Sequence, residues 1–213
     1  MKADKNSMLL YVVTDRSWLG EHSLTEQVEE TIKAGATFVQ LREKELDFEA
    51  FVAEAKKMKA ITDHYHVPFV INDDIQVALA VNADGVHVGQ SDMKAGDVRS
   101  LLGKNKILGV SVQTVEQAVS AEQNGADYLG VGAVFSTSTK LDAQAVNFQT
   151  LTEICKAVSI PVVAIGGISE KNILELKGSG VDGVAVISAI FAKPDIFIAA
   201  KTLCELSKEM VAP

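Results

Sequence analysis

Residues 161–168 read Pro-Val-Val-Ala-Ile-Gly-Gly-Ile, a short apolar run that ends in two adjacent glycines. An unbroken run rich in Val and Ile is typical of a parallel β-strand that other elements cover on both faces. The glycines permit a tight turn, but they also bring bare backbone amides to the end of the strand. We interpret them as part of an anion site, because both glycines follow the strand at once.

Further apolar runs of this kind occur along the chain, and amphipathic segments separate them. The eight runs cover residues 9–14, 37–41, 68–71, 85–88, 107–110, 128–131, 161–165 and 183–187. No linker or low-complexity tract divides them, so the pattern predicts an α/β fold with a single TIM (β/α)8 barrel over residues 1–213. A doubly wound open sheet is the alternative, which the lack of a GxGxxG motif after the first strand disfavours.

The composition restricts the partners of the chain. Hydrophobic residues make up 47% of the chain and charged residues 23%. The formal net charge is −8, and this negative charge argues against a broad nucleic-acid surface. Cys155 and Cys204 form no CxxC pair and suggest no disulfide framework. The sequence begins without a hydrophobic signal segment, and no apolar run is long enough to span a membrane. We therefore expect a cytoplasmic protein without a nucleic-acid or membrane partner, and a homo-oligomer is left open.

Polar residues follow the predicted strands, at the end of a barrel where catalytic groups collect. Gly166, Gly167 and Ser188 follow strands seven and eight, where we expect helices to begin at once and their N-terminal amides to bind a phosphate. A second set combines three cations with two carboxylates: Arg42, Lys44, Lys140, Asp73 and Asp92. Such a set suits a polyanion bridged by Mg2+, which binds carboxylates together with phosphate oxygens. Ordinary surface ion pairing is the alternative for each residue alone.

Two separate anion sites, one of them with a metal, suggest two phosphorylated substrates. A diphosphate surrounded by cations is a good leaving group, because its developing charge is stabilised. The pattern therefore indicates transfer of an activated group to a second, monophosphorylated molecule. The four histidines show no zinc spacing, and His87 lies within a predicted strand, so we interpret it as structural rather than catalytic.

Nearly the whole chain resembles the thiamine-phosphate synthase family. The motifs that carry the resemblance are Val-Gln-Leu-Arg-Glu-Lys at 39–44, Ile-Asn-Asp at 71–73, Asp-Gly-Val-His-Val-Gly-Gln-Ser-Asp at 84–92, Gly-Val-Ser at 109–111, Gly-Val-Gly-Ala-Val-Phe at 130–135, Thr-Ser-Thr-Lys at 137–140 and Ala-Ile-Gly-Gly-Ile at 164–168. The resemblance implies that hydroxymethylpyrimidine diphosphate loses diphosphate and that the nitrogen of hydroxyethylthiazole phosphate takes its place. It also implies that the C–O bond ionises first.

The resemblance also implies roles for individual residues. Arg42, Lys44 and Lys140 would hold the diphosphate and, together with Ser111, form the catalytic set. Asp73 and Asp92 would bind Mg2+ as the cofactor. The pyrimidine and its diphosphate would face Gln40, Asn72 and Ser111. The thiazole phosphate would contact a further set: Thr137, Thr139, Gly167, Ile187 and Ser188.

The sequence departs from the family pattern at three places, and two other functions are weighed against the synthase. Ala133 and Ser136 stand where proline is usual, and Gln113 stands where a histidine is frequent.

A thiazole tautomerase, the first alternative, would use that histidine as its acid/base group, and glutamine cannot transfer protons near neutral pH. The second alternative is a non-catalytic barrel that binds a phosphorylated ligand, which the fold alone does not exclude.

Overall fold

A computed structural model describes residues 3–20, 22–89, 95–136 and 145–212. Its parallel strands close into a barrel in the order β1 to β8, and β1 pairs with β8. The barrel is therefore confirmed and the open sheet is wrong. The strands are β1 (Leu10–Val13), β2 (Phe38–Leu41), β3 (Phe69–Asn72), β4 (Gly85–Val88), β5 (Ile107–Val112), β6 (Tyr128–Gly132), β7 (Val162–Ile165) and β8 (Gly183–Val186).

Helices surround the strands. The α-helices are α1 (Leu24–Lys33), α2 (Phe48–Tyr65), α3 (Ile75–Ala80), α4 (Ala95–Leu102), α5 (Val115–Gln123), α6 (Phe148–Ala157), α7 (Ser188–Phe191) and α8 (Ile196–Val211), with 3-10 helices at Arg16–Trp18 and Ile173–Leu176. Short polar side chains fix several starting points, because their oxygens accept a backbone N–H of the first turn. Ser23 and Glu26 form a full capping box at α1, and Asp47 caps α2.

Two apolar cores hold the barrel together. Alternate strand residues point inward, and together with Met8 they fill the interior with one apolar cluster: Met8, Tyr11, Val13, Phe38, Val70, Ile107, Tyr128, Val163 and Ala185. The remaining strand residues face outward and pack under the helices, as Leu41, Phe69 and Leu108 do. Both faces of each strand are thus buried, which is why the strands read as unbroken apolar runs. No helix in the described part of the chain is long and apolar enough to cross a membrane.

Candidate active site

A polar layer lies above the apolar interior, at the carboxyl ends of the strands. Gln40 comes two residues after the buried Phe38 on β2, and Asn72 comes two residues after Val70 on β3. Residues two apart on a strand share a face, so these side chains also point into the barrel. Ser111 on β5 follows the same alternation from Ile107. The sequence therefore places polar side chains where the barrel opens.

A chain of hydrogen bonds connects this layer to the interior. Gln40 Nε2 donates to Tyr11 Oη at 2.5 Å, and Tyr11 Oη lies 2.8 Å from Tyr128 Oη. Tyr128 Oη is 2.9 Å from Nδ1 of His87, whose Nε2 is 2.9 Å from Ser111 Oγ. The interpretation of His87 as structural rather than catalytic stays a prediction. His87 is buried, but it contacts one of the predicted site residues directly.

Basic and acidic groups meet at the end of β2. The backbone N–H of Arg42 donates to Thr14 Oγ1 at 2.9 Å, and Arg42 Nη1 lies 3.8 Å from Asp15 Oδ2. Burial alone would raise the pKa of Asp15, but hydrogen bonds from Ser17 and the charges of Arg42 and Lys44 outweigh it and lower the pKa. The carboxylate of Asp15 therefore stays ionised beside two of the predicted diphosphate ligands.

A second ion pair holds the same loop in place. Arg16 Nε donates to Glu43 Oε2 at 2.8 Å, and the Glu43 side chain is only 2% exposed. This hydrogen bond is the main cause of the raised pKa of Arg16. Glu43 stands between Arg42 and Lys44, so this ion pair anchors the segment that carries both cations.

Asp73 occupies an unusual backbone position at the end of β3. Its φ is 62°, its N–H donates to the carbonyl of His87 at 2.8 Å, and its Oδ2 accepts from Asn72 Nδ2 at 2.6 Å. Few residues other than glycine adopt this conformation, and such outliers are frequent at functional sites. The oxygen donors of an exposed carboxylate fit a hard cation such as Mg2+. Within residues 3–20, 22–89, 95–136 and 145–212, no group of three potential metal ligands occurs.

The two glycines after β7 have a packing role. Gly166 and Gly167 have φ values of 98° and 68°. A Cβ on Gly167 would lie 2.4 Å from the carbonyl oxygen of Ser136, so the loops after β6 and β7 approach each other too closely for a side chain. This is the structural reason for the glycine pair, and the phosphate site at Gly167 stays a prediction.

The expected helix directly after these glycines is wrong. Ser169 N–H donates to Asn172 Oδ1 at 2.8 Å, and Asn172 Nδ2 donates to the carbonyl of Gly167 at 3.0 Å. This side-chain turn satisfies the backbone groups, so only a 3-10 helix forms, and it starts at Ile173. After β8, by contrast, α7 begins at Ser188 as expected, with Ile187 as its N-cap residue.

The described residues bring part of the predicted site together. Gln40, Arg42, Lys44, Asn72, Asp73 and Ser111 follow or end strands β2, β3 and β5, while Gly167, Ile187 and Ser188 follow β7 and β8. Asp92, Thr137, Thr139 and Lys140 lie outside the described residues. Tyr11, Tyr128 and Asp15 were not among the predicted site residues. The signal was available for the two tyrosines, because a phenol on an inward position of a strand must find a hydrogen-bond partner inside the barrel.

Comparisons with known proteins point in one direction. A family model described as thiamine monophosphate synthase matches residues 10–190. The thiamine-phosphate synthase of Ruminiclostridium cellulolyticum is 53% identical over 197 residues, which cover 92% of this chain and 94% of the relative. That of Clostridium acetobutylicum is 52% identical, over 94% of this chain and 95% of the relative. The solved thiamine phosphate pyrophosphorylase of Pyrococcus furiosus is 39% identical, with a TM-score of 0.90 over 98% of this chain and 99% of that one.

Proposed function

This chain belongs to the thiamine monophosphate synthase family, and we propose how the residues at its barrel mouth carry out the reaction. The reaction joins hydroxymethylpyrimidine diphosphate to hydroxyethylthiazole phosphate and releases diphosphate, so the enzyme is a transferase. The proposal rests on one observation above all. Gln40, Arg42, Asn72, Asp73 and Ser111 lie at the ends of strands β2, β3 and β5 of one barrel mouth, in a chain about half identical to synthases.

The diphosphate station, as we call it, consists of Arg42, Lys44 and Lys140. Arg42 presents a guanidinium fork that can bind two phosphate oxygens at once, and its backbone is held by Thr14. Lys44 supplies a compact second charge. The three cations would stabilise the negative charge that develops on the leaving group, which is the main requirement of this reaction.

Asp73 and Asp92 would hold a Mg2+ ion at this station. Bound there, the ion would neutralise part of the charge on the diphosphate oxygens. Asp73 lies at the end of β3, where its positive φ and the hydrogen bond that it accepts from Asn72 fix its carboxylate. This geometry supports its role as a metal ligand. One oxygen of that carboxylate is already engaged by the Asn72 amide, so Asn72 would set the orientation of the carboxylate.

Gln40, Asn72 and Ser111 would orient the pyrimidine within the polar layer. The C–O bond to the diphosphate breaks, and its electron pair leaves with the diphosphate. The thiazole nitrogen then forms the new C–N bond with its own lone pair. No proton has to be removed in either step, so the reaction needs no carboxylate or histidine as a general base.

The thiazole phosphate station, on the opposite side of the mouth, would use the backbone after β7 and β8. Gly167, Ile187 and Ser188 would contact this phosphate, together with Thr137 and Thr139 from the loop after β6. The close approach of residues 136 and 167 supports this grouping, since it brings the loops after β6 and β7 together. The station would hold the thiazole nitrogen in line with the carbon that loses its diphosphate.

The test is a direct assay of the purified protein with both substrates and Mg2+. We expect thiamine phosphate and diphosphate in equal amounts, and little isomerisation when a carboxylated thiazole phosphate is supplied alone. Lys140→Ala and Asp92→Ala should lower the rate by about 10²-fold or more, because each removes a group that stabilises the leaving charge. Rapid isomerisation without product formation would favour the tautomerase instead.

A matched control comes from the other end of the barrel. Lys104 is an exposed lysine just before β5, so Lys104→Ala removes the same charge far from the mouth. It should retain the wild-type rate. Near-normal rates in both Lys140→Ala and Asp92→Ala would contradict the proposed stations.

A further inference from the structure

The hydrogen-bond chain from Gln40 to Ser111 crosses the interior of the barrel from β2 to β5. Four of its five members are almost fully buried: Tyr128 is 0% exposed, Tyr11 1%, Gln40 4% and His87 8%. Buried polar groups that lack a hydrogen bond destabilise a protein considerably, so each hydroxyl hydrogen in the chain needs an acceptor. This requirement links the directions of all the bonds, so that the orientation of the Gln40 amide decides every one of them.

The direction starts at Gln40, whose amide nitrogen can only donate. Tyr11 Oη therefore accepts from Gln40 and uses its own hydrogen for another acceptor. Among the described residues, the acceptor that Tyr11 finds is the hydroxyl of Tyr128 at 2.8 Å. Tyr128, which now accepts from Tyr11, must in turn donate to Nδ1 of His87.

His87 passes this direction on to Ser111. A neutral imidazole that accepts at Nδ1 carries its hydrogen on Nε2. Nε2 lies 2.9 Å from Ser111 Oγ, so His87 donates and the serine oxygen accepts. The hydroxyl hydrogen of Ser111 is consequently directed at an acceptor other than His87.

The opposite direction would give the serine the opposite role. If Gln40 presented its carbonyl oxygen to Tyr11, every bond would reverse, and His87 would carry its hydrogen on Nδ1. Ser111 would then donate to His87, and its oxygen would be the group that the substrate meets. The two directions thus differ in one measurable property, which is the protonated nitrogen of His87.

Burial and packing keep the chain in place. Burial raises the pKa of Tyr11 and of Tyr128, so both phenols remain protonated and able to donate. A Cβ on Gly109 would lie 2.1 Å from Cζ of Tyr128, and one on Gly130 would lie 3.2 Å from Cε1 of His87. Strands β5 and β6 therefore carry glycine where the two rings cross them.

We propose that His87 is a positioning residue that holds its hydrogen on Nε2 and thereby makes Ser111 a hydrogen-bond donor to the pyrimidine diphosphate. This rests on the proposed function, in which Ser111 faces that substrate. A donor at this position stabilises a diphosphate oxygen, which gains negative charge as the C–O bond breaks. Tyr11 and Tyr128 act through His87, and Gln40 sets the direction for all of them.

The first test needs no substrate. Side-chain ¹⁵N NMR of the uniformly labelled, ligand-free protein reports which nitrogen of each histidine is protonated, and loss of one set of signals in His87→Gln identifies His87. We expect protonated Nε2 and unprotonated Nδ1. A predominant Nδ1–H form would overturn the proposal.

The second test compares two amides at position 87. The longer side chain in His87→Gln can place an N–H near Ser111, where Nε2 of the imidazole lies. The shorter side chain in His87→Asn reaches only toward Tyr128. We expect kcat within about fivefold of wild type for His87→Gln and about 10²-fold lower for His87→Asn, with an unchanged KM for thiazole phosphate. Equal losses of kcat in the two variants would contradict a role through Nε2–H.

A double variant separates positioning from general stability. If His87 acts through Ser111, His87→Asn should lower kcat by no more than about twofold in a Ser111→Ala background. Fully additive losses would show that His87 acts by another route and would overturn the proposal. Tyr128→Phe should reduce the Nε2–H population of His87 and lower kcat by roughly tenfold.

The control for the missing phenol is Tyr65→Phe, which removes a hydroxyl that bonds Glu29 on the helix surface at 2.8 Å. It should change neither the His87 signals nor kcat. These experiments distinguish failure of the positioning role from failure of the proposed function. A wild-type protein that makes thiamine phosphate but carries Nδ1–H on His87 refutes the positioning role alone, whereas failure to make the product refutes the function.

Discussion

The two sides of the barrel mouth present different chemistry. On the side of β2 to β5, side chains point inward and form hydrogen bonds with one another, from Gln40 to Ser111. On the side of β7 and β8, the inward residues are apolar, and Ile165 and Ile187 pack against the interior cluster. Among the described residues of the predicted site, backbone amides and the Ser188 hydroxyl would bind an anion there. The function of the first side can therefore be tested by removing side chains or the metal, and that of the second side by adding a Cβ to a glycine.

Removal of the metal should have the largest effect, and it acts on the β2 to β5 side alone. Excess EDTA should abolish thiamine phosphate formation, and Mg2+ should restore it, because Asp73 and Asp92 would then hold no cation against the diphosphate. The binding of thiazole phosphate, measured by calorimetry without the second substrate, should not change. Full turnover in EDTA would contradict the metal site.

Arg42→Ala should come next, with a fall in kcat/KM of about 10³-fold, since it would remove the guanidinium that we propose as a two-pronged phosphate ligand. The loss should be measured by varying the pyrimidine diphosphate at saturating thiazole phosphate. Thermal unfolding should show that the barrel remains intact, because the Arg42 backbone bond to Thr14 does not involve the side chain. A loss no greater than that in Lys104→Ala would remove Arg42 from the diphosphate station.

A substitution that adds a Cβ tests the β7 and β8 side of the barrel mouth. Gly167→Ala introduces a Cβ 2.4 Å from the Ser136 carbonyl oxygen at a φ of 68°, so the loops after β6 and β7 must separate. We expect a KM for thiazole phosphate raised about tenfold and a loss of stability of about 2 kcal/mol. Both can be followed, by steady-state kinetics and by urea unfolding.

Gly178→Ala is the matched control, because Gly178 also has a positive φ, 82°, but a Cβ there meets nothing within 4 Å. It carries the same backbone strain without the collision, so it should lose about 1 kcal/mol of stability and keep the wild-type KM. Equal KM values in the two variants would argue against a phosphate site at Gly167.

The two sides also differ in how far the sequence predicts them. All eight strands were predictable to within two residues, because burial on both faces makes each one an apolar run. Tyr11 and Tyr128 are 117 residues apart, and only closure of the barrel brings their hydroxyl groups together. No local pattern contains that contact. After β7 the prediction failed for the opposite reason: a local turn between Ser169 and Asn172 replaced the expected helix start.

Asp15 should give the smallest effect, and the sign of that effect is informative. Its carboxylate lies 3.8 Å from Arg42 Nη1, too far for a hydrogen bond, so it mainly reduces the positive potential that the diphosphate meets. Asp15→Asn retains an oxygen that can accept the N–H of Ser17, which Asp15 bonds at 2.9 Å. We expect a KM for pyrimidine diphosphate lowered by about two- to threefold at low ionic strength, and by less in salt.

The pH dependence of stability provides a second measurement on the same variant. Because folding lowers the pKa of Asp15, the ionised carboxylate stabilises the wild type above the ordinary pKa of an aspartate, and this contribution is lost as the pH falls through the lowered value. The unfolding midpoint of the wild type should therefore exceed that of Asp15→Asn near neutral pH, and the difference should disappear in acid. A raised KM in Asp15→Asn would instead mean that Asp15 orients Arg42. Residues of the diphosphate station would then be positioned by their neighbours, as we propose that His87 positions Ser111.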